Sequence, residues 1–197
     1  MADISQKWLE GASYLIPFTQ DYGRKLHTSK IAQMLRLPQK TVARKLKYLE
    51  QAKLLQYSRE GKNKYYFLDL WENSTFSLLK MLENYKEIMF FQHYPSQSLF
   101  LKELSLISPV ILFGSYAKGL AKSSSDLDVV IFSSHNKKIA SLIEKYPFQI
   151  NPHFVSLALF ERRLKASQSL AKEIAQDHII FGEKEGIIKL FIDYSKK

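Results

Sequence analysis

The residues whose types and spacing could do chemistry lie between positions 110 and 132. An apolar, β-branched run ends at Gly114-Ser115, and after ten more residues Asp126-Leu127-Asp128 leads into a second apolar run. Both runs have the length and composition of buried strands, so these polar residues would lie at strand ends. A hydroxyl and a backbone N–H at a glycine turn can bind phosphate, and paired carboxylates can bind a divalent cation. The spacing therefore predicts a site for a phosphate group and a magnesium ion.

The geometry of a turn and a strand supports this prediction. Gly114 would let the chain turn at a point where a Cβ would obstruct a close ligand. Side chains alternate along a strand, so Asp126 and Asp128 would lie on one face with Leu127 on the other. We therefore expect the two carboxylates to face the Gly-Ser turn together.

This stretch closely resembles the minimal nucleotidyltransferases of the DNA polymerase β superfamily, which are marked by Gly-Ser, ten residues, then Asp-x-Asp. The residues in those places are Gly114, Ser115, Asp126 and Asp128, and Lys118-Gly119 matches a basic-Gly pair that often follows. The resemblance implies that a nucleoside triphosphate binds with Gly114, Ser115 and Lys118 at its phosphates. It also implies that Asp126 and Asp128 hold Mg²⁺ or Mn²⁺ and act in catalysis together with Ser115.

Active members of this superfamily usually carry a third carboxylate on a later strand. The candidate strand is 148–155, in which period-two alternation predicts that Gln149, Asn151 and His153 face the site. None of these side chains is acidic. Either Asn151 or His153 could take the place of the missing carboxylate, although a lone histidine beside apolar residues is more often a packed side chain.

Two functional interpretations follow from this departure. In the first, the protein is an enzyme that transfers a nucleotide, with release of pyrophosphate, to a protein, an RNA or a small molecule. A protein acceptor would make it similar to family members that act as antitoxins on a partner toxin. In the second, the domain is a weakly active or inactive nucleotide sensor, and the protein is a transcription regulator. The intact Gly-Ser and Asp-x-Asp pairs favour the first, and the missing carboxylate favours the second.

The positive charge of the chain is concentrated in one block. The chain has 29 Lys and Arg against 19 Asp and Glu, a net charge of +10. Residues 24–64 contain twelve of the basic residues and only Glu50 and Glu60, so this block carries the whole excess. Such a concentration is typical of a surface that binds a polyanion, most often nucleic acid.

The same block has the periodicity of two helices followed by a hairpin. We expect Thr28 to be the N-cap of a helix over 29–35, and a second helix over 39–52 to bury Val42, Leu46 and Leu49. Strand-like segments over 54–58 and 65–68 flank a glycine-containing loop. This order resembles a winged helix-turn-helix over residues 21–70, with one departure. Lys53 stands where that family usually has a glycine with a left-handed conformation.

The resemblance to a winged helix-turn-helix implies binding to double-stranded DNA, with the second helix in the major groove. The residues that it places at the DNA are Gln39, Lys40, Thr41, Arg44, Lys45, Arg59, Lys62 and Lys64. The alternative is that this basic surface packs on a partner protein, as some winged helices do. Palindromic DNA sites favour two-fold symmetric proteins, so we expect a homodimer.

Three regions are therefore expected: a winged helix-turn-helix domain at 1–72, a linking amphipathic helix at 73–95 and a nucleotidyltransferase-like domain at 96–197. The second domain should be α/β with a small mixed sheet, so the fold class is α/β (α+β). The chain contains no cysteine, which excludes disulfides and thiolate metal sites. No apolar run is long enough to span a bilayer and the first residues lack a secretion signal, so we expect a cytoplasmic protein without a membrane partner.

Overall fold

A computed structural model describes residues 11–133 and 137–196 of the chain. These residues form two compact units, one extending to Leu82 and including Ser195 and Lys196, the other spanning Glu83–Tyr194. The sequence also predicts a first helix over 4–16; most of it lies outside the described residues, of which 11–13 are helical. No helix in the described ranges combines the length and the apolar character that crossing a membrane would require.

The first unit consists of short helices beside a three-stranded sheet. Its elements are a 3₁₀ helix at Ile16–Thr19, β1 at Leu26–His27, α1 at Thr28–Leu35, α2 at Gln39–Gln51, β2 at Gln56–Glu60 and β3 at Asn63–Phe67. All pairings are antiparallel and the strand order is β1-β3-β2. The two helices, the turn and the hairpin predicted from the sequence are therefore present.

Burial in α2 follows the predicted period. Val42, Leu46 and Leu49 are buried, and the residues between them are exposed or half-buried. The prediction that Thr28 caps α1 is wrong, because His27 is the N-cap and its Nδ1 accepts a hydrogen bond from the Ser29 backbone N–H. The imidazole thus satisfies a helix N-terminal donor that serine or threonine usually satisfies.

Left-handed backbone conformations end both of these helices without glycine. Arg36, after α1, has φ +54°, and Lys53, after α2, has φ +58°. A non-glycine residue in this region costs roughly 1 kcal/mol, which packing on either side must offset. Lys53 therefore adopts the conformation that glycine normally provides at this point.

A long helix connects the two units. It is α3, at Asn73–His93, and the boundary between the units falls within it, after Leu82. The structure thus has a helix in the region where the sequence predicts one. Leu79 and Leu82 are completely buried, and Phe90 is almost so.

The second unit is built on a four-stranded mixed sheet with the order β6-β5-β4-β7. Its elements after α3 are α4 at Pro95–Ser105, β4 at Val110–Leu112, α5 at Gly114–Ala117, β5 at Leu127–Ile131, α6 at Lys137–Glu144, β6 at Ile150–Phe154, α7 at Leu157–Lys165, α8 at Ser169–Gln176, β7 at Ile179–Phe181 and α9 at Glu185–Ser195. Strand β5 pairs in parallel with β6, and β4 pairs antiparallel with both β5 and β7. The expected small mixed sheet is present, and β7 is a strand that the sequence had not indicated.

Helices cover both faces of this sheet. On one face, Leu127, Val129 and Ile131 join a core with residues of α3, α4 and α6. Because side chains alternate along a strand, Asp128 and Val130 point to the opposite face. There Val130 lies beside residues of α7 and α8, among them Phe160 and Ile174. The second face is thus apolar at Val130 and polar at Asp128.

Candidate functional site

Two carboxylates converge at the beginning of β5. Asp126 immediately precedes the strand, and Asp128 is its second residue, paired in register with Asn151 of β6. The Asn151 side-chain nitrogen donates to Asp128 Oδ1 at 3.1 Å and to Asp126 Oδ2 at 3.3 Å. One amide nitrogen reaches both carboxylates, so they face a common point, as the alternation of the strand predicted.

Gly114 lies directly against one of these carboxylates. Its φ is +70°, and a Cβ added to it would lie 2.3 Å from Asp128 Oδ2. No side chain fits at that distance. The sequence predicts that Gly114 allows the close approach of a ligand, and the structure adds a second reason for glycine, the Asp128 carboxylate itself.

The Gly-Ser turn is tied to β5 by the backbone. The Phe113 N–H donates to the Asp128 carbonyl at 3.0 Å, and the Leu120 N–H donates to the Ser115 carbonyl at 2.9 Å. Ser115 is half-buried and belongs to the short helix α5, which follows β4 directly. The turn and the two aspartates are therefore held together as one structural feature.

Lys118, expected at the phosphates, forms an ion pair that sequence reasoning missed. Its Nζ lies 2.7 Å from Glu173 Oε1 of α8, and both side chains are partly exposed. The hydrogen bond to Glu173 raises the pKa of Lys118, and the nearby charges of Asp177 and Asp128 raise it further. The lysine is therefore a cation located close to the carboxylate site.

Asn151, rather than His153, occupies the place next to the carboxylates. His153 pairs with Val130, two residues farther along the sheet, and its exposed ring packs against Phe113 with 5.5 Å between centroids. The neutral amide thus stands where the resemblance implied a third acid.

The donor atoms at this point fit a hard divalent cation. Two converging carboxylates repel each other, and between them stands only a neutral amide, whose oxygen and nitrogen could exchange places by rotation. Carboxylate and amide oxygens are the ligands that magnesium prefers. Within residues 11–133 and 137–196, no group of three or more acidic, histidine or cysteine side chains could hold a metal ion. The donors that this site offers are Asp126, Asp128 and, after rotation of its amide, the Asn151 oxygen.

In the first unit, the residues expected at DNA lie on α2 and on the β2–β3 hairpin. Those that are exposed are Gln39, Lys40, Arg44, Arg59 and Lys62, and those that are half-buried are Thr41, Lys45 and Lys64. The hairpin turn consists of Gly61 and Lys62, because β2 and β3 pair up to Glu60 and Asn63. Helix and hairpin therefore both present basic side chains to solvent.

Lys64 differs from the other basic residues of this block. It forms an ion pair with Glu50 and lies over the Tyr57 ring, 3.9 Å from its centroid. Lys45 also contacts an aromatic ring, that of Tyr14, at 6.0 Å. The charge of Lys64 is thus partly balanced within the unit, in contrast to the exposed Lys40 and Lys62.

A buried group of charges lies elsewhere in the second unit. Glu83 of α3 has an ion pair with Lys86 at 2.9 Å and approaches His178 Nε2 at 3.3 Å. Burial would raise the pKa of Glu83, but Lys86 and His178 outweigh it and lower the value to about 2. Burial lowers the pKa of His178. Sequence reasoning did not indicate this group, because His178 is far from Glu83 and Lys86 in the chain.

Comparison with known proteins gives one match. A family model described as a nucleotidyltransferase domain matches residues 96–197, about half of the chain. No curated protein and no solved structure matches the chain. The matched range contains the Gly-Ser turn, both aspartates and Asn151.

Proposed function

The chain belongs to the nucleotidyltransferase domain family, and from this membership we propose that its second unit binds a nucleoside triphosphate with a divalent cation and transfers the nucleotide to an acceptor. The observation that carries the proposal is the convergence of Asp126 and Asp128 beside Gly114. Their carboxylates share one amide partner, and Gly114 is packed so closely that a Cβ would collide with Asp128. A site of this shape is suited to a cation and a phosphate in contact.

Each residue has a defined part in the proposal. Ser115 offers its hydroxyl and backbone N–H to a phosphate at the glycine turn. Lys118 supplies a positive charge near the phosphates, for which it must exchange its ion pair with Glu173. Asp126 and Asp128, with the Asn151 amide, would hold Mg²⁺ or Mn²⁺. When bound, that ion would supply charge stabilisation at the phosphate oxygens.

The proposed reaction is nucleotidyl transfer to a hydroxyl group. The hydroxyl oxygen forms a bond to the α-phosphorus, the bond from the α-phosphorus to the bridging oxygen of the β-phosphate breaks, and pyrophosphate leaves. The hydroxyl proton passes to a carboxylate or to water, since the Asn151 amide cannot accept it. In an antitoxin-like role the acceptor is a hydroxyl of a partner protein, and an RNA or small-molecule hydroxyl accepts by the same chemistry.

Incubation with labelled nucleoside triphosphates tests the proposal. The purified protein is mixed with each α-labelled triphosphate and magnesium, with and without cell lysate, and labelled protein and RNA are separated. The test variant is Asp126→Asn with Asp128→Asn, and the control is Asp193→Asn, an exposed carboxylate on α9. Label that transfers with the parent and the control but not with the double variant supports the proposal. If the parent shows neither magnesium-dependent binding nor transfer of any triphosphate, the proposal is wrong.

A second candidate function rests on the neutral side chain at position 151. Without a third carboxylate the site can bind a triphosphate yet lack a nearby proton acceptor, which would make the unit a nucleotide sensor. We infer that the first unit then acts as a DNA-binding domain of the winged helix-turn-helix type in a transcription regulator. Its support is the +10 charge of residues 24–64 and the exposed Lys40, Arg44 and Lys62 on α2 and the hairpin. Tight binding of triphosphate without transfer, together with a change in DNA affinity, distinguishes this function from the first.

The partners proposed for the first unit are separable by experiment. Fluorescence anisotropy with a mixed-sequence DNA duplex at several salt concentrations measures the electrostatic contacts, because DNA affinity falls steeply with salt. Binding to a partner protein but not to DNA would favour the alternative in which the basic surface of the first unit packs on a partner protein. Sedimentation velocity tests the proposed homodimer in the same buffers.

A further inference from the structure

A groove opens on the second unit beside the carboxylate site. It has a volume of about 420 Å³ and lies between β6 and the helices α7 and α8. Its apolar lining includes Val130, Val155, Phe160, Ala171 and Ile174, which are all buried. The volume is within the range of small-molecule sites, roughly 300–1,000 Å³.

Strand register places this groove next to the site. Val130 pairs with His153, and both line the groove, whereas Asp128 pairs with Asn151 in the same two strands. Residues two apart on a strand share a face and are separated by roughly 7 Å. The groove therefore begins one such step from the carboxylates, on the face to which they point.

The groove and the Gly-Ser turn lie on opposite sides of β5. The turn follows β4, one neighbour of β5, and the groove adjoins β6, the other neighbour. The proposed transfer requires the α-phosphate to lie at the carboxylates while the terminal phosphates lie at the turn. The part of the nucleotide that continues beyond the α-phosphate is the nucleoside.

The side chains of the groove have the chemistry of a base-binding site. Its apolar floor suits the flat face of a ring, while His153, Arg163 and Gln168 provide polar groups at an exposed rim. Imidazole and guanidinium groups stack on bases, and an amide can pair with a base edge. No acidic residue lines the groove, so nothing there repels an electron-rich ring or a phosphate.

We propose that this groove binds the nucleobase of the nucleoside triphosphate. The inference rests on the proposed function, since it takes the triphosphate to be held at Gly114, Ser115 and the two aspartates. It assigns recognition of the base to α7 and α8. The residues of the Gly-Ser and Asp-x-Asp motif do not provide that recognition. An acceptor bound in the groove is the competing occupant.

Two variants test the groove without altering the phosphate site. Leu170→Trp places a large ring at the rim, where Leu170 is 39% exposed and tolerates a larger side chain. His153→Ala removes an exposed imidazole and does not depend on how the tryptophan packs. The matched control is Gln176→Trp, which adds the same ring, without a change of charge, at an exposed position of α8 outside the groove.

Calorimetry with two magnesium complexes separates the base from the phosphates. Each variant is titrated with the four nucleoside triphosphates and, separately, with inorganic tripolyphosphate. We expect both groove variants to weaken the best-bound triphosphate about five- to tenfold, the size of effect expected for loss of base stacking. Tripolyphosphate affinity should stay unchanged in both, and the control should match the parent with every ligand.

Other results overturn the inference. Unchanged triphosphate affinity in both groove variants shows that the base lies elsewhere, and lower transfer with unchanged affinity assigns the groove to the acceptor. Equal weakening of triphosphate and tripolyphosphate shows a general disturbance rather than a base site. If the parent protein binds nucleoside triphosphates no more tightly than tripolyphosphate, the groove assignment is wrong and the proposed function stands. If it binds neither complex, the proposed function fails together with the groove.

Discussion

Replacing Gly114 by alanine tests whether the turn and Asp128 form one site. Two separate costs follow from the structure. The first is backbone strain, because φ at position 114 is +70° and a residue with a Cβ loses roughly 1–2 kcal/mol there. The second is a collision, because the new Cβ would lie 2.3 Å from Asp128 Oδ2, more than 1 Å inside ordinary contact, which begins at 3.4 Å.

The collision must displace the Asp128 carboxylate, since the backbone of Phe113, next to Gly114, is hydrogen-bonded to Asp128 of β5. A shift of about 1 Å in a cation ligand should weaken magnesium-dependent triphosphate binding about 10- to 100-fold. Gly119→Ala is the matched control, because its φ is +67° but a Cβ there has no atom within 4 Å. It carries the strain without the collision.

Calorimetry with magnesium and a nucleoside triphosphate measures the binding, and thermal unfolding measures the strain. We expect the strain to lower the melting temperature of both variants by roughly 4–8 °C for each 1 kcal/mol, and that of Gly114→Ala to fall further because of the collision. Only Gly114→Ala should lose affinity. If Gly114→Ala binds as tightly as Gly119→Ala, the contact between the turn and Asp128 does not shape the site.

Three further predictions address the amide, the buried charges and the basic surface. Asn151→Asp should strengthen magnesium binding and increase transfer, because it adds a carboxylate beside Asp126 and Asp128; magnesium titration and the labelled-nucleotide assay measure both. Glu83→Gln should lower the free energy of unfolding at neutral pH by about 3–5 kcal/mol, because it leaves the charge of Lys86 buried without its partner. Glutamate at Lys40, Arg44 and Lys45 together should abolish DNA retention in the anisotropy assay without unfolding the chain.

The pH dependence at Glu83 has a definite sign. The pKa of Glu83 in the folded protein is about 2, below the ordinary 4.5. Ionised Glu83 therefore makes its full contribution to the free energy of unfolding at pH values above 4.5. That contribution should be lost as the pH falls from about 4.5 toward 2. Denaturant unfolding at a series of pH values should show this loss in the parent and a flatter profile in Glu83→Gln. Parallel profiles would contradict the buried-charge interpretation.

The controls for the other two predictions lie in the same chain. Gln149→Asp adds a carboxylate to the segment preceding β6, outside the hydrogen bonds that Asn151 makes. An equal effect of Asn151→Asp and Gln149→Asp on magnesium binding would show that the added charge, not its position, is responsible.

The control for the DNA prediction reverses three exposed lysines of the second unit, Lys102, Lys145 and Lys172. It changes the net charge of the chain as much as glutamate at Lys40, Arg44 and Lys45 does. DNA retention that survives the α2 reversal would exclude α2 as the contact surface.

Local patterns predicted the site residues because strand geometry is simple. Period-two alternation placed Asp126, Asp128 and Asn151 on one face, and the structure confirms that they meet. The same rule placed Leu127 in the core, where it is fully buried. A glycine at the turn was also predictable from its role beside a ligand, whereas its contact with Asp128 became visible only in the structure.

The features that sequence reasoning missed depend on contacts between distant residues or on competing local options. Lys118 and Glu173 are 55 positions apart, and no periodicity connects them. The hairpin loop was expected over 59–64, but strand pairing continues through Arg59 and Glu60 because a two-residue turn is sufficient. Strand β7 has only three residues, too few to show a period.

The neutral amide at position 151 separates two properties that a third carboxylate would combine. Binding a cation with a triphosphate requires converging oxygens and limited negative charge, and two carboxylates with an amide meet that requirement. Deprotonating an acceptor requires a base near the hydroxyl, which an amide cannot provide. Asn151 nevertheless keeps the site assembled, because its nitrogen bridges both carboxylates. The geometry therefore fits the proposed site for a cation and a triphosphate, and it makes the proposed transfer depend on a proton acceptor other than Asn151, either one of the two carboxylates or water.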